Sequence, residues 1–176
     1  ACIEYQALNQ EFPEGMLEDT FVALATLEHR TGKLFGDQDN PLLVSVRSGA
    51  AVSMPGMMDT ILNLGLNDAS VQGLAKLSGD ERFAYDCYRR FIQMFGNVVL
   101  EIEHGSFDEI VEKHKRKLGL IFDYEIPAGE MKDIIQEYKA LVMQAKGFEF
   151  PQEVREQLIM AIKAVFSSWN NQRAIV

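Results

Sequence analysis

Apolar residues recur along the chain in helical stripes for most of its length and in short unbroken runs at two places. Cys2, Tyr5 and Leu8 open the sequence at helical spacing. An amphipathic helix is predicted from Pro13 to Thr31, with Leu17, Phe21, Leu24 and Glu28 at i, i+4, i+7 and i+11 and Gly32 as its stop. The segment KLFGDQDNP reads as a turn-rich loop, and Leu42 to Val46 then forms an apolar, β-branched run between Pro41 and Gly49. That pattern predicts a strand buried on both faces. Arg47 to Asp59, RSGAAVSMPGMMD, carries small residues, two glycines and a proline, which resist regular structure. A second strand is expected over Thr60 to Leu64, leading into a loop at Gly65 to Asp68.

Everything after Asp68 is helical in pattern, and four helices are expected in a row. Ala84, Cys87, Tyr88, Phe91, Met94, Phe95 and Val98 trace one stripe. Ser106 and Glu109 spell a capping box ahead of Phe107, Ile110, Val111, His114 and Leu118. A third stripe, Met131, Ile134, Ile135, Tyr138, Leu141 and Val142, is closed by Gly147. Pro151 opens a fourth through Val154, Leu158, Ile162, Val165 and Trp169. The fold class is therefore α/β and mostly helical, with a short-stranded sheet portion and a helical subdomain.

Composition narrows the function. With 176 residues, 47% hydrophobic and 24% charged, the chain has the balance of one globular domain with a real core. A net charge of -9 opposes nucleic-acid binding, which draws on clustered cations. No apolar stretch reaches the roughly 20 residues a bilayer crossing needs, and no signal-peptide layout opens the chain, so a cytoplasmic location is expected. Cys2 and Cys87 lack metal-ligand spacing, and Cys87 on its apolar stripe is expected to be a buried thiol. The first residue is not Met, the opening already reads as a helix in progress, and Ala174, Ile175 and Val176 end on an apolar stub. Both ends are expected to lie inside a larger fold.

Candidate chemistry concentrates after the first strand. Arg47 closes an apolar run and opens a loop in which Ser48, Gly49 and Gly56 let backbone N–H groups approach an anion. A guanidinium there matches phosphate geometry and sits where ligands bind in α/β sheets; the alternative is an arginine paired with a structural carboxylate. The loop is neither a Walker A nor a G-x-G-x-x-G sequence. Three other features have plainer readings. Met94, Met131, Met143 and Met160 read as core packing, and KHKRK, Lys113 to Lys117, as a solvated helix face late in a helix. Glu101, Glu103 and His104 have metal-ligating types but alternating rather than helical spacing, so no metal site is expected. His29, His104 and His114 have no nucleophile or metal constellation beside them in sequence and read as surface or helix residues.

LLVSVRSGAAVSMPGMMDTILNLGLND, Leu42 to Asp68, resembles the signature segment of pyruvate, phosphate dikinases, and RFAYDCYRRFIQMF, FPQE and AVFSSWNNQRAI resemble later blocks of the same domain in the same order. The water-dependent phosphoenolpyruvate synthases share the V-R-S-[SG]-A core but continue differently, so SMPGMMDT points to the phosphate-dependent family. The resemblance implies a partial ATP-grasp nucleotide-binding domain: residues 1–68 with the phosphate-contacting strand and loop, 69–170 a helical subdomain, and 171–176 a return into the ATP-grasp fold. It implies ATP and Mg2+ in the parent enzyme, a partner in its swivelling phosphohistidine domain, and a homo-oligomeric parent. Arg47 is expected to bind the ATP phosphates, with Ser48, Gly49, Met54, Gly56, Met57, Asp59 and Thr60 adjoining the nucleotide, and Arg90 and Arg173 at a domain contact. The family's G-G-K-G lysine segment, acidic metal ligands, phosphorylatable histidine and pyruvate barrel do not occur in these residues, so the chain alone is expected to be inactive. The competing reading is a helical interaction module without a nucleotide role.

Overall fold

In the computed structural model, which describes residues 2–47 and 60–168, the helices are α1 (Cys2–Ala7), α2 (Met16–Thr31), α3 (Ser70–Ser78), α4 (Glu81–Val98), α5 (His104–Leu118), α6 (Ala128–Lys146) and α7 (Val154–Ser168). The strands are β1 (Leu34–Phe35), β2 (Pro41–Leu42), β3 (Val44–Arg47) and β4 (Thr60–Leu64). The expected stripes become the core. On α4, Ala84, Tyr88, Phe91 and Phe95 are buried, and α6 buries Met131, Ile134, Ile135, Tyr138 and Val142 against them. Asp80 starts α4 by accepting the Phe83 N–H, and Gly147 ends α6 in the left-handed region at φ 80°. Phe150 seals this layer, with Phe91, Phe95 and Tyr88 around it edge-on at ring distances of 5.8, 5.4 and 6.5 Å. Each such ring taken out of water contributes roughly 1.5–3 kcal/mol. Gly96 lets α5 approach α4, since a Cβ there would lie 2.4 Å from the Phe107 ring.

β3 and β4 form an antiparallel pair in the register Arg47↔Thr60, Val46↔Ile61 and Val44↔Leu64. One residue lies between Val44 and Val46 while two lie between Ile61 and Leu64, so β4 carries a bulge, with Asn63 left-handed at φ 59°. In a regular strand, residues three apart face opposite sides. The bulge turns Ile61 and Leu64 to the same side, where both are fully buried beneath α4 and α7.

Several expectations are corrected. The run from Leu42 to Val46 is not a strand buried on both faces: it breaks at Leu43, and in β3 Val44 and Val46 are half-buried while Ser45 and Arg47 are exposed. The loop KLFGDQDNP contains the parallel β1–β2 pairing, Leu34↔Pro41 and Phe35↔Leu42, and the Phe35 N–H donates to Glu28 at 2.8 Å. The helix expected from Pro13 begins at Met16. Ser106 and Glu109 form no capping box because α5 already starts at His104. α3 adds a helix ahead of the four expected ones, its Gly73 so close to the Gln38 carbonyl that a Cβ would meet it at 2.5 Å. Cys87 is half-buried rather than buried, and burial followed by the neighbouring Asp86 pushes its thiol pKa up. Of the methionines read as core, Met131 is fully buried but Met143 is 46% exposed. Trp169 lies outside the described residues.

Candidate functional site

Arg47 is the last residue of β3, on its exposed side, with Thr60 across the strand pair, also exposed. Arg47 has no ion pair with a carboxylate among the described residues. Three arginines of the helical region are engaged: Arg82 donates to the Ile126 and Asp123 carbonyls, Arg89 to Asp86 and Gln93, and Arg90 to Asp86. The structure thus brings together Arg47 and Thr60 from the sequence-derived set. Ser48, Gly49, Met54, Gly56, Met57, Asp59 and Arg173 lie outside the described residues.

Arg90 is exposed on α4, its Nε 3.0 Å from Asp86 Oδ2, and Arg89 beside it is buried with its guanidinium on the other oxygen of the same carboxylate. Both arginines border a cavity of about 550 Å³ between α4 and α5 that also meets Gln93, Met94, Asn97 and His104. Tyr138 reaches this group from α6; burial pushes its phenol up to about 12, against the pull of Arg89.

The foot of the β3–β4 hairpin is tied down by polar side chains that the sequence reading missed. Gln157 on α7 is fully buried; its amide donates to the Leu66 and Pro151 carbonyls at 3.0 and 2.8 Å and accepts from the Gly65 N–H at 3.4 Å. Ser70 Oγ donates to the Gly65 carbonyl at 2.7 Å, and Asn67 Oδ1 accepts the Ala69 and Ser70 N–H groups, opening α3. Asp68 accepts from the Tyr88 hydroxyl and from Lys139, and Gln152 bridges the Asp68 N–H and the Tyr88 oxygen. Burial and the Asp68 charge hold the Tyr88 phenol well above its ordinary value. The tetrapeptide Asn67 to Ser70 was a legible helix-start signal, whereas Gln157 looked like any polar residue on a helix.

A second cluster corrects the reading of the basic run. His114, on the apolar stripe of α5 as expected, is only 3% exposed, with Nδ1 2.5 Å from Glu130 and Nε2 3.1 Å from Glu137. Lys117 and Lys113 reach the same two carboxylates at 3.0 and 2.6 Å, and Lys115 is buried against Glu112 and Asp123 at 2.5 and 3.1 Å. KHKRK is therefore a solvated face only in part: Lys113, Arg116 and Lys117 are exposed as expected, while His114 and Lys115 are buried, and Lys113, His114 and Lys117 reach carboxylates of α6. His104 is paired with Asp108 at 3.4 Å. Among the described residues no three His, Cys, Asp or Glu side chains converge to hold a metal ion, and no helix is long and apolar enough to cross a membrane.

An exposed guanidinium at a strand end, free of any described carboxylate and presenting forked N–H donors, is suited to bind phosphate oxygens. The family described as "Pyruvate phosphate dikinase, AMP/ATP-binding domain" matches residues 3–176. The pyruvate, phosphate dikinase of Clostridium symbiosum is 51% identical over 177 residues, covering 100% of this chain and 20% of that protein. That of Giardia intestinalis is 54% identical over 173 residues, covering 98% and 20%. The chloroplastic enzyme of Mesembryanthemum crystallinum is 51% identical over 175 residues, covering 99% and 18%. The chain spans about a fifth of the length of these curated relatives. From residue 3 to its end it belongs to the AMP/ATP-binding domain family of the pyruvate phosphate dikinases.

Proposed function

We propose that the β3–β4 hairpin forms part of one wall of the ATP site of a pyruvate, phosphate dikinase, with Arg47 holding the ATP phosphates. The observation that carries this reading is an exposed arginine at a strand end with no carboxylate partner among the described residues, in a chain matched along its length by an AMP/ATP-binding family. In the reaction so assigned, ATP, phosphate and pyruvate give AMP, pyrophosphate and phosphoenolpyruvate through a phosphohistidine on a swivelling domain. Arg47 would neutralise charge on the phosphates as the bond to the leaving group breaks, an interaction that strengthens in the transition state. Thr60, paired across from it, would border the nucleotide together with Ser48, Gly49, Met57 and Asp59.

The finer architecture belongs to the same proposal: a partial ATP-grasp unit over 1–68, a helical subdomain over 69–170 and a return at 171–176. Arg90 and Arg173 would meet the swivelling domain, in a cytoplasmic, homo-oligomeric enzyme. Mg2+ would accompany ATP in the parent, but the described residues offer no set of ligands that fits it, so no step here passes through the metal.

The test is a graded series at Arg47 in the full-length protein carrying this domain, read as ATP-dependent phosphorylation of the carrier histidine. Arg47→Lys keeps the charge but loses the fork, and should fall between wild type and Arg47→Ala. Equal rates for all three proteins would refute the assignment.

A further inference from the structure

The bulge in β4 adjoins an unusual contact between the strand and α4. The Leu62 N–H, at a position the β3–β4 register leaves without a Cα partner, donates to the Met94 thioether of α4, with nitrogen and sulfur 3.4 Å apart. Leu62 lies between the bulge residue Asn63, left-handed at φ 59°, and Ile61, which is fully buried and pairs with Val46. Asparagine enters that conformation more readily than other non-glycine residues, so the bulge suits this position. Ile61 in the core and Leu62 on Met94 fix the strand on either side of its backbone. Thr60 and its partner Arg47 follow directly. Met94 is half-buried and borders the α4–α5 cavity, so it is not merely one more filled position of the core.

We infer that Met94 is a positioning residue for Arg47: by accepting the Leu62 N–H, its sulfur sets the β4 bulge and thereby the place of the Arg47 guanidinium relative to α4. This inference rests on the reading that Arg47 holds the ATP phosphates. A thioether is a weak acceptor, and one hydrogen bond of this kind contributes modestly to stability. The effect expected is therefore on the precision of phosphate binding and not on folding. A loosened strand end would present the guanidinium in the right place for a smaller fraction of the time, which lowers apparent ATP affinity in proportion.

The experiment uses the full-length protein carrying this domain, with Met94→Leu, which removes the acceptor at nearly constant volume, and Met94→Gln, which supplies an amide oxygen at similar reach. Three quantities are read: the KM for ATP and the kcat of histidine phosphorylation, the melting temperature, and hydrogen exchange in peptides spanning Thr60 to Leu66. Met94→Leu should raise the KM for ATP about three- to tenfold with kcat and melting temperature close to wild type, and should speed exchange of one amide in that peptide. Met94→Gln should regain most of both losses. An unchanged KM in Met94→Leu, or equal defects in the Leu and Gln variants, would overturn the inference. Arg47→Ala assayed alongside separates the two claims. If it impairs the ATP step while Met94→Leu does not, the positioning role alone fails; if it leaves the ATP step intact, the site assignment fails and the positioning role falls with it.

Discussion

Replacing Gln157 by leucine is the sharpest test of how the hairpin foot is held. The side chain is fully buried, and its amide serves three backbone groups from two distant segments: the Leu66 carbonyl at 3.0 Å, the Pro151 carbonyl at 2.8 Å and the Gly65 N–H at 3.4 Å. Leucine fills similar space but satisfies none of them. A buried group stripped of its partner costs about 1–3 kcal/mol. Two of the three bonds are short and one is long, so the summed cost is about 2–4 kcal/mol after partial relaxation. For a chain of this size each kcal/mol lowers the melting temperature by roughly 2–4 °C, placing the expected drop at about 5–15 °C. Urea unfolding of the chain, followed by circular dichroism, should show a lower midpoint at unchanged slope. Gln157→Glu retains an acceptor for Gly65 but loses both donors to the carbonyls, and should be at least as damaging as leucine. A leucine variant within 0.5 kcal/mol of wild type, a margin on the order of an ordinary surface substitution, would refute the view that this amide locks the foot.

Other consequences follow from the same packing. Gly96→Ala would drive a methyl group to 2.4 Å from the Phe107 ring and should cost about 1–3 kcal/mol, with a non-additive double mutant with Phe107→Leu in chemical denaturation as the check. Glu130 and Glu137 have pKa values depressed chiefly by His114 and Lys113 respectively, so their contribution is present above the ordinary carboxylate pKa and lost as pH falls through the lower folded value. Acid titration below about pH 4.5 should therefore loosen α5 from α6, and Glu130→Gln with Glu137→Gln should flatten that limb; an unchanged acid profile would contradict it. The 176-residue chain by itself should form no AMP from ATP, pyruvate and phosphate, because the lysine segment and phosphorylatable histidine segment that the resemblance implies for phosphoryl transfer do not occur in this sequence. Pyruvate- and phosphate-dependent AMP formation by the purified chain would overturn that expectation.

Long helical stripes were legible in the sequence because burial on one face repeats many times: Tyr88, Phe91 and Phe95, or Ile134, Tyr138 and Val142, each confirm the same period. Short elements were not. The run from Leu42 to Val46 held apolar residues at nearly every position, and periodicity over five residues cannot tell a doubly buried strand from one that breaks and turns. The spacing of Ile61 and Leu64 is compatible with burial of both only through a bulge, which a strand template does not contain. α3 escaped notice because Gly73 and Ser70, its buried positions beside Val71, are small or polar and carry no apolar stripe. The basic run was read correctly only for its exposed Lys113, Arg116 and Lys117: the partners Glu130 and Glu137 lie on another helix, and charge pairing across helices leaves no local pattern. Arg47 itself stood out from its place between an apolar run and a glycine loop, while Gln157 and Met94 act through contacts 91 and 32 positions away in the chain.

The assignment of Arg47 is tested most directly by measuring the two half-reactions separately in the full-length protein carrying this domain. If the guanidinium contacts the ATP phosphates, Arg47→Ala should slow phosphorylation of the carrier histidine by ATP roughly 30- to 1000-fold, equivalent to about 2–4 kcal/mol. Phosphoryl exchange between the phosphohistidine and pyruvate should remain near the wild-type rate, and the melting temperature should hold. A wild-type rate in the ATP step, or a defect of equal size in both steps that follows a lowered melting temperature, would contradict the account.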